Sequence, residues 1–570
     1  MYFIPKDWIL EFRVFNLMKQ FCVSIFTIFI VLSFLNAITF AQEEKETLNQ
    51  RLDRLEKQNE ELSKALKERL SSTPSASSKE DVDNLLLKNP AETPVKNVLA
   101  LPAMGVEAVP GSNKNPIPMK FSFKNGFWAE SEDKNFTFNF GPSMQFDNGW
   151  YSVPENVNSS MDNPLTDGSD LRRLRLNATG TVYKQFEYRL EVDFSGATDF
   201  RTTTADPQAP LFLTDNWIGM KEIPFFGTLR IGHQKEFLTF SNGTSDRYGP
   251  FMERPLVFDA FEDGNQFNNG ATLSKSYLDK KLQIWTGLFR TGTRTGAFGV
   301  GGGRTAFDQR ISYFPILNLE EQQWWVLQAH GTERSLPIVS TTDGKTQFFK
   351  APQVQIFNRP LVRTGSGFQV PRIISTPTLF SQDGETAFGL GTQAAYGRWT
   401  FGTEYVAAQI YNAYLNTVPG YVSTNGRDAQ SIGNQYYDGF YVQGLCFLTP
   451  GDHRSVNPEN PGYTRISPVR PFQWRRSDDG AVTRGPGAWE LKFRYDYTNI
   501  QSPFFTQAVN SFIPTKQSGG NYQAYTFGIN WFTNTNMSVM GDYVFNYRDA
   551  GNSSGSGSFS SFGMRTQFEF

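Results

Sequence analysis

Arginines at alternate positions of an extended chain can pass an anion from one guanidinium to the next. In the stretch LRRLRLNATGTVY, Arg173 and Arg175 share one parity with Asn177, Thr179 and Thr181, whereas Leu174, Leu176, Ala178, Gly180 and Val182 take the other. A guanidinium is permanently charged and offers several donors, so two of them one strand-repeat apart make a short ladder for carboxylate- or phosphate-like groups. By the same alternation Arg189, Arg230, Lys492, Arg494 and Arg565 point to the side of the ladder, but so do Glu191, Asp193, Glu490 and Asp496. Two readings follow: an anion-preferring lining, or a weakly selective one in which arginines facing acids set only a transverse field.

Other chemistries leave weaker marks. His233, His330 and His453 stand singly and read as strand or loop residues rather than metal ligands or bases. The Gly-rich GVGGGRTAF, from Gly299 to Phe307, lacks the Gly-Lys-Ser/Thr ending of a phosphate-cradling loop and reads as an external loop. Serines and acids are plentiful, yet nothing in their spacing pairs them into a hydrolytic site, so no enzyme is expected. A formal net charge of −2 gives no basic footprint for nucleic acid.

The residues with chemistry must be held by strands. NFTFNFGPSMQFD places Phe136, Phe138, Phe140, Met144 and Phe146 on one face, and AWELKFRYDY opposes Trp489, Leu491, Phe493, Tyr495 and Tyr497 to Glu490, Lys492, Arg494 and Asp496. AYTFGINWFTNTNMSVMGDYVFNY reads as two strands joined by a turn at Thr533 to Asn536, and the chain closes on the alternating FGMRTQFEF. Strands of roughly ten residues cross a bilayer when tilted. The apolar face is aromatic, with Tyr and Trp near strand ends, as at the girdles of an outer-membrane barrel. The opposite face carries charges that a dry β-sandwich core would hold only at a large desolvation cost.

Ahead of the strands the order is that of an exported protein. Lys19 precedes FCVSIFTIFIVLSFL and then NAITFAQEE, the layout of a cleavable secretory signal over residues 1–41, with Met18 as the more natural start and a retained anchor as the alternative. Residues 42–70 carry Leu48, Leu52, Leu55, Asn59, Leu62 and Leu66 at heptad spacing, a short coiled coil expected to self-associate, the alternative being a solitary solvated helix. Residues 71–118 are a Ser/Pro-rich linker, and a barrel is expected over 119–570. Cleavage would leave Cys446 as the one cysteine, too few for a disulfide framework.

The segments NGFWAESEDKNFTFNFGPSMQFD, LRRLRLNATGTVYKQFEYRLEVDFSG, GTLRIGHQKEF, FMERP, GAWELKFRYDYTNI and YTFGINWFTNTNMSVMGDYVFNY, with the terminal phenylalanine, resemble the phosphate-selective porin O and P family in that order. The resemblance implies an all-β fold: a transmembrane antiparallel barrel of about 16 strands, preceded here by the coiled coil. It implies a homotrimer in the outer membrane lipid of a diderm bacterium, the coiled coil on the periplasmic side, conducting small anions passively without a cofactor. Arg172, Arg173 and Arg175 match the family motif, and Arg189, Arg230, Lys235, Arg254, Lys492 and Arg494 complete the expected pore lining. The constriction-loop region EFLTFSNGTSDRYGPFMERP departs from the family, because Lys235 precedes it and only Arg247 and Arg254 lie within it, with no lysine cluster. Besides a phosphate-like solute, a general porin and an envelope protein using the barrel as an anchor remain open.

Overall fold

The computed structural model describes residues 117–123, 126–195, 211–262, 267–291, 304–335, 353–365, 370–377, 379–381, 383–416, 429–476, 482–507, 519–551 and 555–570. The expected signal and coiled coil, and all but the end of the linker, lie outside them. Among the described residues sixteen long strands form an antiparallel barrel. In chain order they are β1 (Phe136–Ser152), β2 (Gly168–Val182), β3 (Phe186–Asp193), β4 (Phe212–Ile223), β5 (Gly227–Lys235), β6 (Phe267–Tyr277), β7 (Leu282–Thr291) and β8 (Arg304–Asn318). The second half is β9 (Gln323–Ser335), β10 (Glu385–Tyr396), β11 (Trp399–Asn416), β12 (Ala429–Phe447), β13 (Ala488–Asn499), β14 (Asn521–Phe532), β15 (Met537–Asp549) and β16 (Gly557–Glu569). Each pairs with its predecessor, and β16 pairs with β1 from Glu569–Ser143 to Ser560–Ser152, which closes the sheet and removes its edges.

Alternation decides which way each side chain faces. On β16, Phe562 and Met564 are exposed while Ser561, Arg565 and Gln567 are buried inside, and β13 likewise shows Leu491 and Phe493 outward with Glu490, Lys492, Arg494 and Asp496 inward. Tyr183, Phe226, Tyr277, Tyr396 and Trp399 stay exposed at one end of the wall, where an aromatic girdle belongs. That end also carries the tight connections, 183–185, 224–226, 278–281, 319–322, 397–398 and 533–536. The last is the turn read from the sequence. The two-residue turn between β10 and β11 puts Gly397 at φ +52°, a left-handed conformation that costs glycine little. A hairpin of Met119–Phe123 and Phe127–Ser131 continues the sheet here, Phe127–Ser131 pairing with the start of β1 below the end of β16. The Phe570 amide donates to the Pro142 carbonyl, and its ring meets Phe123 edge-on at 5.1 Å.

The opposite end holds the long loops. The Gly-rich segment expected to loop through Phe307 becomes strand from Arg304 onward, because Arg304 to Tyr313 pair residue for residue with Thr291 to Leu282. One connection breaks the rule of short turns: 448–487, between β12 and β13, is long although it leaves from the short-turn end. The interior is not simply water-filled. An apolar cluster that includes Leu256, Val362, Ile373, Tyr437, Tyr522 and Val544 occupies the long-loop side, and a second, with Phe240, Phe251, Phe314, Trp324 and Tyr463, lies deeper. Both are built where connections fold back inside the wall.

Candidate functional site: the constriction of the lumen

The connection between β5 and β6, described over residues 236–262, enters the barrel from the long-loop end. Its first helical turn, Phe240–Gly243, is capped by Thr239, whose hydroxyl accepts from the Asn242 amide. Glu404 of β11 accepts from the Phe240 and Ser241 amides at 2.7 and 3.3 Å, so the wall holds the turn by its free N–H groups. Further on, inward residues of three strands, β13, β15 and β16, grip the loop backbone. Lys492 Nζ donates to the Pro250 carbonyl at 2.9 Å, Asp542 accepts from the Met252 amide at 2.9 Å, Arg565 donates to the Met252 carbonyl at 2.5 Å, and Asp496 accepts from the Leu256 amide at 3.0 Å. Arg494 donates to the Glu253 carbonyl at 3.2 Å and stacks over Phe251 at 4.4 Å.

Lys492 and Arg494 therefore face inward but lie beneath the loop, 4% and 2% exposed, paired with Asp542 and Asp496. Their charge is spent on positioning the loop rather than displayed to water.

The FMERP segment supplies the loop's side of the constriction. Glu253 takes both Nε and Nη2 of Arg172, at 2.7 and 3.0 Å, and also faces Arg565 at 3.3 Å and Arg363 at 3.6 Å. Asp246 is the second anionic centre, against Arg175 at 2.9 Å, Arg173 at 3.4 Å and Arg254. Arg254 also donates to the Ser241 and Thr244 carbonyls, which ties the two halves of the loop together. Burial alone would push the Asp246 carboxyl up; Lys235, Arg254, Arg173 and Arg175 outweigh it and hold the group well below the usual carboxylate range. The same balance holds for Glu253, where Arg172, Arg363 and Arg173 outweigh burial.

On the wall the arginines form a staircase. Arg173 and Arg175 project inward from β2, and Leu176 is exposed on the outer face. Strict alternation would turn Arg172 outward, but Gln145 pairs with Arg173 and Phe146 with Leu171, leaving Arg172 as the extra residue of a β-bulge. A bulge re-aims a side chain, and consecutive arginines thereby reach the same loop. Glu191 bridges the next step, 3.7 Å from Arg175 and 2.7 Å from Arg189. Arg230 follows towards the short-turn end, paired with Glu187 at 2.7 Å and stacked over Trp217 at 4.3 Å. Lys235 is buried at the end of β5, its ammonium 5.5 Å from the Phe267 ring centre. Of the histidines, His233 and His330 are buried on β5 and β9. His453 lies in the connection after β12.

Sequence reading missed the groups that complete the site. Asp246 and Glu253 sit in a loop without periodicity, and Arg359 and Arg363 come from the connection between β9 and β10, where Arg363 pairs with Asp259 at 2.9 Å and Arg359 also bonds that carboxylate. The Met-Glu-Arg tripeptide was the one legible signal among them.

A profile of the family described as phosphate-selective porin O and P matches residues 143–308 and 366–570. An uncharacterized protein of Caulobacter vibrioides is 25% identical over 398 residues, 69% of this chain and 66% of that protein, so the chain spans just under two thirds of this relative. Among solved structures, the outer membrane channel DcaP of Acinetobacter baumannii aligns over 78% of this chain and 100% of its own at 11% identity, with a TM-score of 0.41. OprB of Pseudomonas putida aligns over 77% and 95% at 9% identity, with a TM-score of 0.42.

Proposed function

Given that the chain belongs to the phosphate-selective porin O and P family, we propose that it is a passive outer-membrane channel for small hydrophilic solutes with a preference for anions of the phosphate type. One observation carries the preference. In these three ion pairs, one between wall and loop and two within the wall, the cation is the partner more exposed: Arg172 keeps 25% of its side chain exposed against 4% for Glu253, Arg189 25% against 3% for Glu191, and Arg230 30% against 16% for Glu187. In each pair the carboxylate is the more buried partner and orients the guanidinium, so a solute moving along β2, β3 and β5 meets N–H donors first. Arg173 and Arg175 extend this row at the level of the inserted loop, Arg254 joins them from the loop through their shared partner Asp246, and Lys235 adds charge nearby. Lys492 and Arg494 serve the row indirectly, by holding the loop that faces it.

The second reading, a weakly selective porin, draws on the pairing itself. Arginines bonded to acids leave a transverse field more than a net charge. Self-association as a trimer, with the heptad segment on the periplasmic side, belongs to the proposal because outer-membrane barrels keep their short turns on that side.

Purified protein added to a planar bilayer should give discrete ohmic steps. In a salt gradient the reversal potential should carry the sign of anion preference, and added phosphate should reduce the chloride current. A sealed bilayer with folded protein would sink the channel, whereas a reversal potential near zero would leave only the weakly selective form.

A further inference from the structure

Towards the long-loop end the wall holds a second group of charges, centred on strands other than those of the arginine staircase. Glu236, the first residue after β5, accepts from Asn268 Nδ2 of β6 at 2.6 Å and from both terminal nitrogens of Arg334 on β9. Arg334 Nε also faces Glu385, at the start of β10, at 3.6 Å. Asp308 of β8 completes the group: it lies in the field of Glu236 and Arg334, and the β8–β9 register puts it opposite Thr332. Among the described residues one guanidinium thus serves three carboxylates, an excess of two negative charges (three less one).

The guanidinium is spent on Glu236 and Glu385. Neither oxygen of Asp308 has a hydrogen-bond partner among the described residues, and the Thr332 hydroxyl has none either, although both side chains are more than nine-tenths buried. An ionised carboxylate held in this way is costly unless a counter-charge joins it. A proton on Asp308 would answer only one of the three orphan atoms, and its nearest carboxylate acceptor, Glu236, is already taken by Arg334 and Asn268. A cation with several oxygen ligands answers all three at once.

We infer that Asp308, Glu236 and Thr332 form a binding site for one divalent, oxygen-preferring cation of the calcium and magnesium class. The donors are two carboxylates and a hydroxyl, a set suited to hard cations, which complete their coordination with water. Asn268 and Arg334 orient the Glu236 carboxylate from outside the coordination sphere. The doubly charged ion cancels the excess negative charge. Because Glu236 is the root of the constriction loop, the ion ties that root to β8 and β9. The site stands on these side chains alone and does not rest on the channel reading.

The test uses the full-length protein folded in detergent, freed of lipopolysaccharide and stripped with EDTA. Calcium and magnesium are titrated separately by calorimetry, and the thermal midpoint is read with EDTA and with each ion. Wild type should take up one calcium or magnesium ion per chain and melt at a higher temperature with it than with EDTA. Asp308→Asn keeps the shape and removes the charge, so it should lose both the ion and the response to EDTA. Thr332→Val should weaken binding by about tenfold or more, the scale of losing one partner at a metal site. A wild type that binds neither ion, or that melts alike with EDTA and with both, overturns the inference. So does an Asp308→Asn protein that binds as wild type does. Should Asp308→Asn fail to fold, Thr332→Val decides, and an unchanged affinity there overturns the site.

Discussion

Arg175 is the cation on which the constriction balances. Its Nε lies 2.7 Å from Asp193, and its Nη1 lies 2.9 Å from Asp246 and 3.7 Å from Glu191. Arg175→Ala removes one positive charge and leaves three carboxylates facing the row. For a monovalent ion passing about 5 Å away, one unit charge is worth about 0.8 kcal/mol at the dielectric constant of water. Screening at 0.1 M salt lowers this to about 0.5 kcal/mol. That is about twofold less anion and about twofold more cation at the constriction, hence roughly a fivefold fall in the anion-to-cation permeability ratio. A lower local dielectric would enlarge the effect. The assay is the reversal potential across a salt gradient, read for wild type, Arg175→Ala and Arg175→Lys. The lysine variant keeps the charge while losing the planar fork, so it should retain most of the ratio. If the alanine variant is assembled and heat-resistant yet keeps the wild-type ratio, permeating ions do not sense this guanidinium, and the staircase is a scaffold rather than a path.

Leu176, one residue on and facing lipid, should behave in the opposite way. Leu176→Arg places a charge on a side chain that is 39% exposed on the outer wall, costing about 2–4 kcal/mol near the midplane; a lower urea midpoint with unchanged selectivity is expected, and an unchanged midpoint would mean that the strand register is wrong. Burial, together with the nearby Glu404 carboxylate, pushes the Glu262 carboxyl of the constriction loop up to about 8. The folded protein therefore binds this proton more tightly than the unfolded chain, so the group's contribution to stability should fall as pH rises from about 4.5 towards 8 and level off above it. Urea midpoints of wild type and Glu262→Gln measured across that window should differ in slope; parallel curves would refute the assignment.

The wall and the turns were legible in the sequence because a strand's period is fixed by the backbone. Phe562, Met564, Leu491 and Phe493 had to share a face, and the break at Thr533 to Asn536 had to be a turn, whatever the rest of the chain did. Which of the charges opposite them meets water was decided only by what folded against them. Lys492, Arg494 and Arg175 look alike in an alternating string, yet the first two lie under loop backbone while the third stands at the constriction. Arg172 turns inward through a bulge, a feature set by pairing with β1 and invisible to periodicity. Asp246, Glu253 and Arg363 come from segments with no period at all, and a carboxylate 71 residues beyond Arg175 meets it only because the loop that carries it lies inside the barrel. Local sequence determined the barrel through backbone geometry; the lumen was left to tertiary structure, because distant loops choose among its charges by desolvating some and pairing others.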